Sequence, residues 1–332
     1  MRRSALVAPL VAAIVAASMT VRTEPAPPRS PSASAGSGVV AADAACARCH
    51  EAEAREWRGS LHRGAFVDPM FQRAFAAEPQ AFCADCHGPV RAAREHGIGC
   101  VACHGERAHD APAKACAACH EFAFPSSARA GKRELMQSTA SEHARFAASR
   151  PGGSGASCAG CHMPRAASGH RSHAFTGGRD EALVRSSIVV TATRSSSTTV
   201  HVVLAPAAAG HCVPTGDLFR RLEVSAEALG ADLSVVSEAR AHLARRFRVA
   251  REGDVMRKEL ATDDRVCDAP RAVDLDLGPL ARGRAIAWRV AYQRIESPGG
   301  DTDAAVVTSE IEITAGVAAP PPAGSAASAA FR

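Results

Sequence analysis

The sequence predicts an α + β protein with two halves of different character, and three observations support this prediction. Between residues 46 and 162 the motif Cys-x-x-Cys-His occurs five times, with short segments between the copies. After residue 186 the chain changes to β-branched runs separated by polar turns, which is the pattern of antiparallel strands. Stretches rich in Pro, Ser and Ala lie outside these two halves. We therefore expect a domain of short helices with little strand, followed by an antiparallel β-sandwich.

The first residues predict export across a membrane. Arg2 and Arg3 precede an uncharged apolar stretch, residues 4–21, which is the arrangement of a signal peptide. A stretch of this length is also close to the minimum for a membrane-spanning helix, so a retained N-terminal anchor is the alternative. The predicted organisation is a signal peptide or anchor over 1–22, a linker over 23–40, the motif domain over 41–180, the β domain over 181–317 and a disordered tail over 318–332.

The five motifs predict covalent attachment of haem c. In Cys-x-x-Cys-His the two thiols bind the porphyrin and the histidine becomes the proximal iron ligand. Zinc is the alternative, but a zinc site has no reason to require a histidine after every second cysteine. We expect five haems, attached through Cys46, Cys49, Cys83, Cys86, Cys100, Cys103, Cys116, Cys119, Cys158 and Cys161, with proximal ligands His50, His87, His104, His120 and His162.

The central motifs begin at residues 83, 100 and 116, which leaves too little chain for a separate apolar core around each haem. The haems would therefore pack against one another, in an arrangement suited to electron transfer. Because haem c is attached outside the cytoplasm, we expect the protein in the periplasm or on the extracytoplasmic face of the inner membrane. The haem propionates would outweigh the formal charge of +5, so the basic composition does not indicate nucleic-acid binding.

Histidines outside the motifs are the candidates for the distal iron ligands. His62 is expected on a helix that continues from the first motif, too far along it to ligate the iron of that motif. His143 is expected on a helix from Lys132 to Ala148. His173 is preferred to His170 after the fifth motif.

Two histidines flank the third motif, and one of them is expected to ligate. His96 is the first candidate and His109 is the runner-up. Met163, directly after a proximal histidine, is expected to pack against its surroundings and not to bind iron.

The motif half resembles the multihaem cytochrome c-554 family, whose tetrahaem members transfer electrons. The matching segments lie within residues 44–176 and are Trp57–His62, Gly99–Gly105, Ser157–Pro164 and Ser172–Phe175. The resemblance implies mostly bis-histidine haems and supports distal roles for His62, His143 and His173. This chain differs from the family in having five motifs where the family has four, and in continuing into a second domain.

The β half contains one loop of special interest, Gly210–Asp217, in which a proline and two glycines present His211. Similar loops occur in β domains appended to multihaem cytochromes, so His211 is a candidate axial ligand; a structural hydrogen bond within the loop is the alternative. His201 and His242 are expected on the surface. The strands are expected at Ser187–Thr193, Thr198–Leu204, Leu222–Leu229, Ala231–Ser237, Ala285–Tyr292 and Val306–Thr314.

Two cysteines remain outside the motifs, Cys212 and Cys267. In an oxidising compartment we expect them to form a disulfide, with two unrelated thiols as the alternative.

These features predict an electron carrier that serves redox partner proteins, either other cytochromes or a membrane quinol-linked complex. If His62, His143, His173, His211 and His96 close all five irons, no iron can bind a substrate. We therefore expect an electron carrier and not an enzyme. The alternative is an oxidoreductase of the nitrite, hydroxylamine or sulfur-oxyanion type, in which one iron would have an open coordination position. The β domain could also dock the cytochrome to its partner.

Overall fold

The computed structural model describes residues 33–105, 114–124, 134–149, 157–207, 209–253, 255–296 and 304–318. The predicted signal peptide or anchor, most of the linker, His109 and nearly all of the predicted tail lie outside these ranges. Within them, no helix is both long enough and apolar enough to cross a membrane.

The motif half consists of short helices, and every motif lies on one helical turn or at the end of a helix. A single turn brings two thiols three residues apart to the same face, with the histidine beside them. The elements are α1 Ala33–Ala47, α2 Glu51–Arg58, α3 Pro69–Ala77, α4 Ala81–His87, a 3-10 helix Arg91–His96, α5 Cys100–His104, α6 Ala117–His120, β1 Glu121–Ala123, β2 Leu135–Ser138, α7 Thr139–Ser149, α8 Cys158–His162 and α9 Glu181–Arg185.

Two helix predictions in this half are wrong in their limits. The helix of the first motif does not reach His62, because α2 ends at Arg58 and the chain turns after Gly59. The helix that carries His143 begins only at Thr139, because residues 135–138 pair as β2 with β1.

The β half contains three antiparallel sheets. The first has the order β3-β4-β9 and the second the order β11-β10-β5-β6, while β7 and β8 pair as a separate hairpin. The strands are β3 Ile188–Arg194, β4 Thr199–Pro206, β5 Arg220–Leu229, β6 Val235–Leu243, β7 Arg245–Glu252, β8 Val255–Asp263, β9 Arg271–Asp276, β10 Ile286–Ile295 and β11 Val307–Ala318.

The two larger sheets contribute to one hydrophobic core. Alternate residues of β4, Val200, Val202 and Leu204, are completely buried, as are Leu222 and Val224 of β5. This alternation is the period of two that one buried sheet face requires. The protein is thus a mixture of helix and strand, with its apolar core in the β half.

Sequence patterning found six strands and missed β7, β8 and β9. Strands β7 and β8 carry arginine, lysine and glutamate along much of their length, and their apolar alternation is limited to Phe247 and Val249, which is a weak strand signal. The strand predicted at Ala231–Ser237 begins only at Val235, because the carboxylate of Asp232 accepts hydrogen bonds from the backbone and the hydroxyl of Ser234 and thereby forms a turn.

His242 is not on the surface, contrary to the prediction. Its side chain is buried, and Nε2 lies 3.3 Å from Oε2 of Glu223 on the neighbouring strand β5. Arg289 of β10 also donates to Glu223, at 2.8 Å. The hydrogen bond with His242, followed by that with Arg289, lowers the pKa of Glu223 to about 2. His201 lies on the surface as predicted, paired with Asp274 at 2.7 Å.

Candidate haem sites

The ten motif cysteines are free thiols that are at least partly accessible, whereas Cys212 and Cys267 form a disulfide. The disulfide prediction is therefore confirmed. Thiols of different motifs come close to one another, since Cys86 lies within hydrogen-bonding distance of Cys119 and Cys116 of Cys158. Free, accessible thiols in this arrangement fit covalent attachment of haem groups that lie close together.

Three motif histidines each face a histidine from elsewhere in the chain, at one common separation. The ring centroids of His120 and His62, of His104 and His173, and of His162 and His211 are each 6.2 Å apart. Two imidazoles that ligate one metal from opposite sides, with bonds of about 2 Å, have ring centres about 6 Å apart. The residues present therefore fit three irons with two histidine ligands each.

Hydrogen bonds at Nδ1 orient several of these rings. Nδ1 lies 2.6 Å from the Thr176 carbonyl in His162, 3.0 Å from the Cys212 carbonyl in His211 and 2.8 Å from the Arg171 carbonyl in His173. A carbonyl can only accept a hydrogen bond, so the proton is on Nδ1, the tautomer is fixed, and the lone pair of Nε2 is left for a metal. His87 has the same arrangement, with Nδ1 3.0 Å from the Ala65 carbonyl.

Burial favours the neutral form of four candidate ligands, His62, His87, His120 and His211. It is the largest cause that lowers the pKa of His62, to about 4, with smaller contributions from His120 and His87. Burial likewise lowers the pKa of His87, His120 and His211. A neutral imidazole is the form that binds a metal, so the electrostatics agree with the ligand positions.

The other two distal candidates in the described part of the chain differ from each other: His143 has the same Nδ1-to-carbonyl bond, whereas His96 bonds a carboxylate through Nε2. Nε2 of His96 lies 2.8 Å from the buried carboxylate of Asp43, which also accepts from the backbone of Val101. Ligation by His96 through Nε2 would require its bond to Asp43 to break, whereas ligation through Nδ1 would not. Nδ1 of His143 lies 2.9 Å from the Gly210 carbonyl, beside His211. A cavity of about 580 Å3 adjoins His96 and is lined by Trp57, Arg58, Ser60, Arg63, Gly64 and His96.

Sequence reasoning missed Glu56, which positions the segment that carries His173. Its carboxylate accepts a 2.7 Å bond from the His173 backbone and lies 3.1 Å from Nε2 of His170. Phe175 was also missed as a neighbour of the site; its ring lies 4.3 Å from His62. Neither role follows from spacing along the chain, because more than 110 residues separate Glu56 from His170 and His173.

A buried ion pair fixes the loop of His211 against the motif half. Nη1 of Arg265 lies 2.8 Å from Oε1 of Glu142 on α7, and their side chains are 4% and 1% exposed. Thr215 of the loop donates to Oε2 of the same carboxylate at 2.7 Å, and Arg265 donates to the Pro214 carbonyl at 3.1 Å. The pair therefore joins the helix of His143 to the loop of His211.

Comparison with known proteins gives a likeness of fold. No family model matches the chain, and no curated protein does. Among solved structures, a penta-heme cytochrome c552 from Thermochromatium tepidum is 20% identical, with a TM-score of 0.58 over 80% of this chain and 97% of that one. The motif half alone is less than half of the chain, so the likeness extends into the β half.

The fold resembles that of a multihaem c-type cytochrome. The similar structure is described as a penta-heme protein and not as a tetrahaem one. This likeness supports the predicted resemblance to multihaem c-type cytochromes in general, but it does not support the specific resemblance to the cytochrome c-554 family.

Proposed function

We propose that this protein is an exported multihaem c-type cytochrome that carries five haem c groups and transfers electrons between redox partner proteins. The observation that supports this most directly is the common 6.2 Å separation of the three histidine pairs. Each pair joins the proximal histidine of one motif to a histidine outside the motifs. Side chains that merely pack in a core lie at many different ring separations, whereas two histidines that bind one iron lie at a single, fixed ring separation.

In this proposal each motif holds its haem through two thioethers, and His62, His173 and His211 are the distal ligands opposite His120, His104 and His162. When bound, haem iron supplies one-electron redox chemistry. In each pair the chain would supply one histidine from the motif and one from outside it, and burial lowers the pKa of His62, His120 and His211 and so favours their neutral form. An iron with two histidine ligands has no open position for a substrate, which favours a carrier over an enzyme at these three motifs.

The remaining parts of the proposal rest on the sequence. His143, and either His96 or His109, are proposed for the irons of the first and second motifs. The two larger sheets are proposed to pack as a sandwich that forms a second domain. The export signal and the haem attachment together support a periplasmic location, with a possible tether through the N-terminus and with other cytochromes or a quinol-linked membrane complex as partners.

The second candidate function is a multihaem oxidoreductase of the nitrite, hydroxylamine or sulfur-oxyanion type. The observation that favours it is Arg220, whose positive charge acts on both His87 and His120 and could attract an oxyanion. Adding nitrite or carbon monoxide to the holoprotein separates the two candidates. Unchanged low-spin optical bands support the carrier, and a high-spin band that shifts with these ligands supports the enzyme.

Removing one proposed distal ligand should change one haem from low spin to high spin. We expect this in His62→Ala, His173→Ala and His211→Ala, because each substitution leaves one iron with a single protein ligand. Optical and electron paramagnetic resonance spectra measure the change.

His201→Ala is the control, because His201 pairs with Asp274 on the surface and contacts no motif histidine in the described residues. A low-spin spectrum identical to that of the wild type in any one of the three variants would remove that histidine from the ligand set.

A further inference from the structure

Three arginines from distant parts of the chain come together, and one of them, Arg220, lies next to the second and fourth motifs. Arg220 begins β5, Arg294 is near the end of β10, and Arg179 lies between α8 and α9. Arg294 is close enough to the other two for their charges to act on it. Arg220 in turn is close enough to His87 and His120 to lower the pKa of both.

The three arginines differ in how many of their hydrogen-bond donors have a partner. Arg179 pairs with Asp68. Arg220 donates to the Thr215 carbonyl at 2.9 Å, but its nearest carboxylate, that of Asp217, is 3.5 Å away. The Nε atoms of Arg220 and Arg294 are buried without any hydrogen-bond partner. A buried polar group without a partner is destabilising, and an unpaired charge more so.

The local charges also indicate a missing anion. Arg220, Arg294 and Arg179 face two carboxylates, Asp217 and Asp68, and the phenol of Tyr292. Burial, together with repulsion by Arg220, lowers the pKa of Arg294. Among the described residues, the three guanidinium groups thus outnumber these two carboxylates by one, and two of the three have a buried Nε–H without a partner. A guanidinium group matches the planar oxygens of a carboxylate or a similar oxyanion.

We propose that Arg220 and Arg294 form an oxyanion-binding site beside the haems of the second and fourth motifs. The oxyanion is either a propionate of one of these haems or a small oxyanion from solution, since both present the same oxygens to the guanidinium groups. This inference rests on the proposed haem content. It assigns to residues of the β half a direct role in the electrostatics of haems attached to the other half.

The site has a consequence for the reduction potential of the neighbouring haem. Positive charge and hydrogen bonds around a haem help to set its potential, and positive charge favours the reduced state. The two guanidinium groups therefore raise the potential of the haem that they neighbour, and removing one of them lowers it.

The test uses Arg294→Gln in the five-haem holoprotein, whose haem content is first verified by intact mass. Arg240→Gln is the control, because it removes the same charge from an exposed pair with Glu238 on the same sheet. Two quantities are measured in each protein: the midpoint potentials from a spectroscopic redox titration, and the heat of binding of sodium nitrite and of sodium sulfate.

A lower potential of one haem in Arg294→Gln, with no binding of either salt by the wild type, identifies the oxyanion as a propionate. Binding of either salt by the wild type, weakened at least tenfold in Arg294→Gln, identifies a free oxyanion. Unchanged potentials and no difference in binding overturn the inference while the haem count leaves the proposed function intact. Arg294→Lys is a second variant, which keeps the positive charge but loses the two-pronged guanidinium group. We expect it to shift the midpoint potential less than Arg294→Gln does.

Discussion

Replacing Arg265 with glutamine is expected to lower the free energy of unfolding by about 3–5 kcal/mol, because it leaves a buried charge unpaired. Glu142 is 1% exposed and faces Arg265 at 2.8 Å. Its pKa is lowered against the effect of burial, chiefly by the charge of Arg265 and by bonds from Ser138 and Thr215. Without Arg265 the carboxylate has to take up a proton or draw in water.

The same substitution should also affect the haem of the fifth motif. Arg265 holds the Pro214 carbonyl, and Glu142 holds Thr215, within the loop that carries His211. A loosened loop would let His211 leave the iron, so we expect part of one haem to become high spin. Urea unfolding followed by circular dichroism measures the stability, and the optical spectrum of the folded protein measures the spin state.

Arg240→Gln is the matched control for this prediction, because its exposed pair with Glu238 should contribute less than about 1 kcal/mol. A double variant, Glu142→Leu with Arg265→Met, tests the cause. Replacing both partners removes the buried carboxylate of Glu142, so it should recover part of the loss. Asp263, which also pairs with Arg265 at 2.8 Å, loses its partner in both variants but is 28% exposed and stays accessible to water. A loss below 1 kcal/mol in Arg265→Gln, with an unchanged spectrum, would contradict the role given to this pair.

Removing the disulfide should lower the free energy of unfolding by about 4 kcal/mol. This is the free energy that the loop-closure entropy gives for the chain segment between the two cysteines. Cys212 and Cys267 are separated by 55 residues, and their bond is at the base of the loop that presents His211. We expect Cys212→Ser combined with Cys267→Ser to be less stable and to show weaker ligation at the fifth motif. Urea unfolding and the optical spectrum measure both effects.

The control for this prediction is the same double substitution in His211→Ala. Since that background has already lost the proposed ligand, removing the disulfide should change its stability but not its spin state. Stability equal to that of the wild type after the disulfide is removed would show that the loop is held by other contacts.

The sequence predicted what depends on local covalent chemistry or on simple periodicity. The Cys-x-x-Cys-His motifs, the disulfide and most strands of the two larger sheets belong to this class. His62 pairs with His120 and not with His87, although His87 is nearer along the chain. This pairing could not be predicted, because it depends on how the short helices pack. The hairpin of β7 and β8 is rich in charged residues and has few apolar residues on one face, such as Phe247 and Val249, so the signal that reveals strands is weak there.

Buried polar residues were the hardest to predict. His242 and Asp43 resemble surface residues in the sequence, and each is buried because a distant partner satisfies it: Glu223 for His242, and His96 for Asp43. The same holds for Glu142 and Arg265, which lie in different halves of the chain. Such pairs follow from the three-dimensional arrangement, which spacing along one sequence does not specify.

The central claim is that each of the five motifs carries a covalently attached haem. The intact mass of the exported, purified protein, measured after denaturation so that only covalently bound groups remain, tests this claim most directly. We expect the mass of the processed chain plus five haem groups. A colourless protein, or a mass that exceeds the processed chain by fewer than five haem groups, would contradict the account.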